Sequence, residues 1–80
     1  MNLYLLSQTE ARGYDTFSAM IVAAPSEEIA RNIHPRNYPE AWEDTFSEWA
    51  SSPANVIVAL IGKAKSNIPS GIILASFHAG

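Results

Sequence analysis

Cysteine is absent from this 80-residue chain, so neither a disulfide nor a cysteine-ligated zinc reinforces its core. Good packing or self-association must do that work, because a chain this short buries only about 60–65% of its unfolded surface. Cations are few: five Lys and Arg stand against eight Asp and Glu, for a net charge of −3. Arg12, Arg31, Arg36, Lys63 and Lys65 are also scattered. That argues against direct nucleic-acid binding, whose affinity rests on neutralising phosphates. Long apolar runs are missing. "MNLYLLSQTE" offers only Leu3 to Leu6, too short for a secretory leader, and nothing approaches the roughly 18 apolar residues of a membrane span. The chain reads as one domain over 1–80, soluble, unprocessed and cytoplasmic, a compartment that the lack of cysteine fits.

Catalytic chemistry is equally sparse. His34 and His78 are the only histidines, and no HExxH-like spacing places two metal ligands on one helical face. His34 is expected at a helix end, where the dipole favours a partly charged imidazole, and His78 is expected exposed near the C-terminus. Ser18, Ser51, Ser52, Ser66, Ser70 and Ser76 stand in no nucleophile elbow. Glu27 with Glu28, and Glu43 with Asp44, are sequence neighbours that point apart on a helix and make poor acid/base pairs. The four glycines are isolated, so no loop cradles a phosphate. The expectation is a protein without enzymatic activity, cofactor or metal. In "ARGYD", Arg12, Tyr14 and Asp15 form either a small recognition patch or a plain turn around Gly13.

What is present is a strand-rich pattern. "NLYLLSQ" (2–8) and "FSAMIVAA" (17–24) have strand length and a short polar connection, the signature of an antiparallel hairpin. In "PSEEIARNIHP", Ser26 suits an N-cap and Glu27 and Glu28 lie in the first turn. Ile29, Ala30 and Ile33 give an apolar face, and Pro35 ends the segment; a helix is expected over 26–34. "ANVIVALIGKA" (54–64) is a β-branched strand entered through the turn "SSP", and "GIILASF" (71–77) is the last strand. The order β-β-α-segment-β-β predicts an α+β fold, with a helix on one face of a four-stranded antiparallel sheet. These strands alternate poorly: Val56, Val58 and Leu60 are apolar, and so are Ile57, Ala59 and Ile61. One helix of nine residues leaves a second apolar face for the middle segment, for another molecule, or for water. A homodimer through that sheet face is one expectation.

The middle segment "YPEAWEDTFSEWASSP" (38–53) packs two tryptophans, a phenylalanine and four acids without a cation. As a second short helix or irregular segment at about 39–50, it opens naturally on Pro39. If helical, it aligns Trp42, Phe46 and Trp49 on one face and Glu40, Asp44 and Glu48 on another, with Glu43 beside them. Like charges at that spacing oppose the helix by a few tenths of a kcal/mol per pair. The aromatics are either core or anchors, and the acids either solvate a face or meet a basic protein surface. Glu40, Trp42, Glu43, Asp44, Glu48 and Trp49 are therefore the candidate partner-binding residues.

The frame from "MNLYLLSQTEARGYDT" to "ARNIHP", then "WASSPANVIVALIGKA" and "GIILASFHAG", resembles a family of small bacteriophage and prophage proteins. The likeness spans nearly the whole chain. Its most specific pieces are "RGYDT", "IHP", "SSP" ahead of V-x-V-x-x-IG, and "ILASF-x-AG". It departs from the family pattern at 36–48, where members vary in length and content, and it brings no catalytic residues. In size, acidity and lack of motifs the chain is similar in character to anti-CRISPR proteins. That likeness implies an inhibitor in the host cytoplasm that binds a host protein complex, a Cas effector, and blocks its nucleic-acid surface through acidic residues. The alternative is a phage structural or assembly protein that self-associates.

Overall fold

The computed structural model describes every residue except Arg12, Tyr14, 44–47 and 79–80, and the backbone alone of His78. Four strands, β1 (Asn2–Ser7), β2 (Thr16–Ala24), β3 (Ile57–Lys63) and β4 (Gly71–His78), form one open antiparallel sheet. Helix α1 (Glu27–Arg31) follows β2, and 3-10 turns occupy Pro39–Glu43 and Pro53–Asn55. The spatial order is β3-β1-β2-β4. The expected hairpin is the central pair, with Tyr4 opposite Val22 and Leu6 opposite Met20. β3 adds outside β1 and β4 outside β2.

Register decides which residues face inward, because side chains alternate across a strand. Tyr4, Leu6, Met20, Val22 and Ala24 share one side and are buried together with Ala30, Trp49, Ala50 and Val56. Leu6, Met20 and Val22 are the largest fully buried side chains. The covering layer is α1 and the stretch around Trp49–Val56, and the partly buried Phe17, Ile33, Trp42, Val58, Ile72 and Ala75 pack against the core.

Helix α1 starts as expected, the Ser26 hydroxyl accepting from the Ile29 amide at 3.3 Å. It is shorter than the 26–34 span. The Asn32 side chain donates back to the Glu28 carbonyl (2.8 Å), a local bond that competes with continuation, and Pro35 then turns the chain. Ile29 is half exposed rather than inward; Ala30 and Ile33 alone serve the core. Arg31 ties the helix to the sheet by donating to the Pro53 and Val56 carbonyls at 3.2 and 3.4 Å. It also pairs with Glu27 one turn back. "SSP" opens the 3-10 turn that feeds β3, as expected.

The β1–β2 connection is organised by a residue that the sequence reading passed over. Gln8 occupies the next inward position after Tyr4 and Leu6 and is buried. Its amide nitrogen donates to the Ala11 and Phe17 carbonyls at 2.6 and 3.0 Å. Its oxygen accepts from the Glu10 and Ala11 amides, both at 2.7 Å. Two donor and two acceptor bonds use the full capacity of a glutamine side chain. Gly13 (φ 98°) and Asp15 (φ 61°) then turn left-handed to enter β2, a region open to glycine and tolerated by aspartate.

Two substitutions test this account. Leu6→Ala is expected to lower unfolding free energy by about 2–5 kcal/mol, a large share of the about 4–12 kcal/mol available to a chain this size. Gln8→Ala leaves two amides and two carbonyls without their partner and is expected to cost about 1–3 kcal/mol. Urea denaturation followed by circular dichroism reads both; a loss under 0.5 kcal/mol for Gln8→Ala, on the order of a surface change, contradicts the loop role.

Candidate functional surfaces

The acidic segment is not one helix. Pro39–Glu43 forms a 3-10 turn, and Trp49 and Ala50 lie in the sheet core in a non-helical run. The Glu48 carbonyl accepts from the Phe17 amide at 2.8 Å, docking this run on the start of β2. Glu40 and Glu48 therefore do not share one helical face. Glu40 and Glu43 are exposed on the turn, and Asp44 lies outside the described residues. Glu48 turns toward Arg36, whose Nε donates to it at 2.6 Å and whose Nη2 reaches the other carboxylate oxygen. This two-bond pairing is the geometry in which guanidinium and carboxylate match best. It also means that one of the four acids is already neutralised.

The two tryptophans separate as well. Trp49 is 3% exposed, so it cannot anchor a partner in this conformation; it fills the core. Trp42 is half-buried, donates from Nε1 to the Asn32 carbonyl at 3.3 Å, and meets the His34 ring edge-on at a centroid distance of 4.9 Å. Phe46, expected beside them, is outside the described residues.

His34 differs from expectation. It is 7% exposed, with Nδ1 accepting from the Arg36 amide at 3.0 Å and its carbonyl accepting from the Asn37 amide at 2.7 Å. These bonds tighten the turn that carries Arg36 to Glu48, so the imidazole braces a loop beyond α1 rather than standing at the helix end. Asn32, Ile33, His34, Asn37, Tyr38, Pro39 and Trp42 line a cleft of about 400 Å³ there. Its polar groups largely serve the turn itself. Of the "ARGYD" residues, Ala11, Gly13 and Asp15 are described. Asp15 borders a second hollow with Arg36, Glu48 and Phe77. Among the described residues, no three His, Asp or Glu side chains gather as metal ligands would.

The other side of the sheet is the larger feature. Register places Leu3, Leu5 and Ser7 of β1 there, with Ala19 and Ile21 of β2, Ile57 and Ala59 of β3, and Leu74 and Ser76 of β4. Ala23, opposite Leu3 on the same side, is buried, and α1 packs against the other side through Ala30. Leu5 is 38% exposed, Ile57 52% and Leu74 63%, and Ile61 beside them is half exposed. None of these residues is charged. A shallow hollow of about 130 Å³ lies between Leu5, Ala19, Ile21, Leu74 and Ser76 and is lined by apolar atoms only. The poor alternation of "VIVALI" and "GIILASF" was the sequence signal for this face.

Comparison with protein-family models, with curated proteins and with solved structures returned no match. Among the described residues, no helix is long and apolar enough to cross a membrane.

The placement of Trp49 has a measurable consequence. Among the described residues its buried indole N–H has no hydrogen-bond partner, an omission that typically costs about 1–3 kcal/mol. Trp49→Phe removes that N–H while keeping an aromatic ring in the core. It is expected to destabilise by about 1 kcal/mol or less, well under the about 3–5 kcal/mol of Trp49→Ala. Equal losses for the two variants by urea denaturation contradict a buried, unpartnered indole.

Proposed function

We propose that this is a non-enzymatic binding protein whose working surface is the open face of the sheet. The observation that supports it is the run of exposed aliphatic side chains, Leu5, Ile57, Ile61 and Leu74, spread over three strands with no charge between them. Soluble monomers rarely leave such patches bare, and contiguous apolar surface marks contact sites. The hollow at its centre, about 130 Å³, is below the ~300–1,000 Å³ of pockets that enclose small molecules. A flat partner suits the face better than a small ligand.

A second reading keeps the acids at the centre: an anti-CRISPR-type inhibitor that occupies a basic nucleic-acid surface on a Cas effector. Glu40 and Glu43, both exposed on the Pro39–Glu43 turn, support it. Glu48 contributes less, since Arg36 holds it.

Capture experiments separate the two. A tagged chain is expressed in host cells with an untagged copy, and whatever co-purifies is identified by mass spectrometry. Loss of the captured protein with Leu5→Lys/Leu74→Lys, and retention with Glu40→Lys/Glu43→Lys, is the expected result. The reverse pattern replaces the open-face reading with the acidic one. Capture unaffected by either pair rejects both.

A further inference from the structure

We infer that the occupant of the open face is a second copy of this chain, in a reversible two-fold dimer; this rests on the open-face reading above. The first argument is charge. The chain carries a net charge of −3, yet none of the strand residues that register places on this face is charged. A face without charge can be buried against its own copy with no ionised group stranded in the interface. A foreign basic partner would instead be drawn to the acids, and the exposed Glu40 and Glu43 share a turn with Trp42, which packs against the core on the opposite side.

Shape gives the second argument. A two-fold interface uses the same patch twice, so it must carry both projections and hollows. Leu74 and Ile57, each more than half exposed, project beside the hollow at Leu5, Ala19 and Ile21. One aliphatic side chain of the opposing copy fits such a space.

Area sets the strength. Four strands about 4.8 Å apart and roughly seven residues long at about 3.3 Å each give a face of roughly 19 by 23 Å. Two such faces bury on the order of 900 Å², short of the about 1,200 Å² at which stable interfaces begin. The dimer is therefore concentration-dependent rather than permanent.

Association through the edges is disfavoured by the strands themselves. β3 carries a bulge opposite Leu3/Tyr4, where Ile61 is unpaired, and β4 has one at Ile73. Such irregularities, with Lys63 at the end of β3, blunt an edge against adding a further strand.

Sedimentation velocity of the purified chain from about 10 µM to about 1 mM, with the dye ANS as a probe of free apolar surface, tests the inference. The expected result is a mass rising from one chain toward two, abolished by Leu5→Lys and by Leu74→Lys in variants that keep the wild-type circular dichroism. Amide NMR shifts of the wild type should move on dilution at Leu5, Ala19, Ile21, Ile57 and Leu74, a readout that needs no variant. A dimer insensitive to both substitutions, with no dilution shifts on this face, overturns the inference in favour of another surface. A monomer throughout, with ANS binding that Leu74→Lys removes, overturns it while the open-face reading stands. A monomer that binds no ANS ends both.

Discussion

A four-stranded sheet has two faces, and a chain of this length supplies one covering layer. In this protein α1 is five residues long, and it covers a face only because the stretch from Glu48 to Val56 completes the layer beside it. The remaining architecture follows from that shortage. Leu6, Met20 and Val22 are fully buried beneath the layer, whereas Leu5 and Ile21, one residue away along the same strands, look out from the other side. The hydrophobic effect acts on both sets alike, but the layer takes only the first set out of water.

The covering layer is held by polar contacts as much as by apolar ones. Arg31 fastens α1 to the carbonyls of Pro53 and Val56, His34 braces the following turn, and Arg36 holds Glu48 next to the buried Trp49. An isolated surface ion pair is worth little. Here the Glu48 side chain is only 13% exposed, and its backbone is bonded to β2. The pair therefore positions the aromatic that completes the core. Of the described acids of that segment, Glu48 has this structural duty and Glu40 and Glu43 are solvated.

Much of the fold was legible in the residues. The four strands, the central hairpin, the Ser26 cap and the excess of apolar strand positions all came from local pattern, where side-chain alternation and capping chemistry act over a few residues. The segment from 38 to 50 was harder to read because helical spacing is compatible with it. What breaks the helix is tertiary: Trp42 packs on His34, Trp49 enters the sheet core, and Arg36 claims Glu48 from twelve residues away. Gln8 was detectable in principle, as a polar residue in the inward phase set by Tyr4 and Leu6. Its meaning depends on four backbone groups gathered by the loop, and no spacing rule lists those. The exposed face was visible as a surplus of aliphatics, but which set lay outside was fixed only by register.

The strand order also shapes how the molecule forms. The central pair, β1 and β2, is joined by a short loop that Gln8 draws together, so its closure is local and entropically inexpensive. Both flanking strands come from the second half of the chain and go to opposite edges: β3 pairs with β1, and β4 crosses over to pair with β2, bringing Phe77 to Phe17 across sixty residues. Pairings of such sequence separation form slowly. Until they do, the hairpin presents two bare edges as well as two bare faces, so the assembling chain is at its stickiest before the sheet is complete. The bulges at Ile61 and Ile73 sit on the two strands that end that interval. The two edges that remain once the sheet is complete are thus irregular ones, which pair poorly with a further strand.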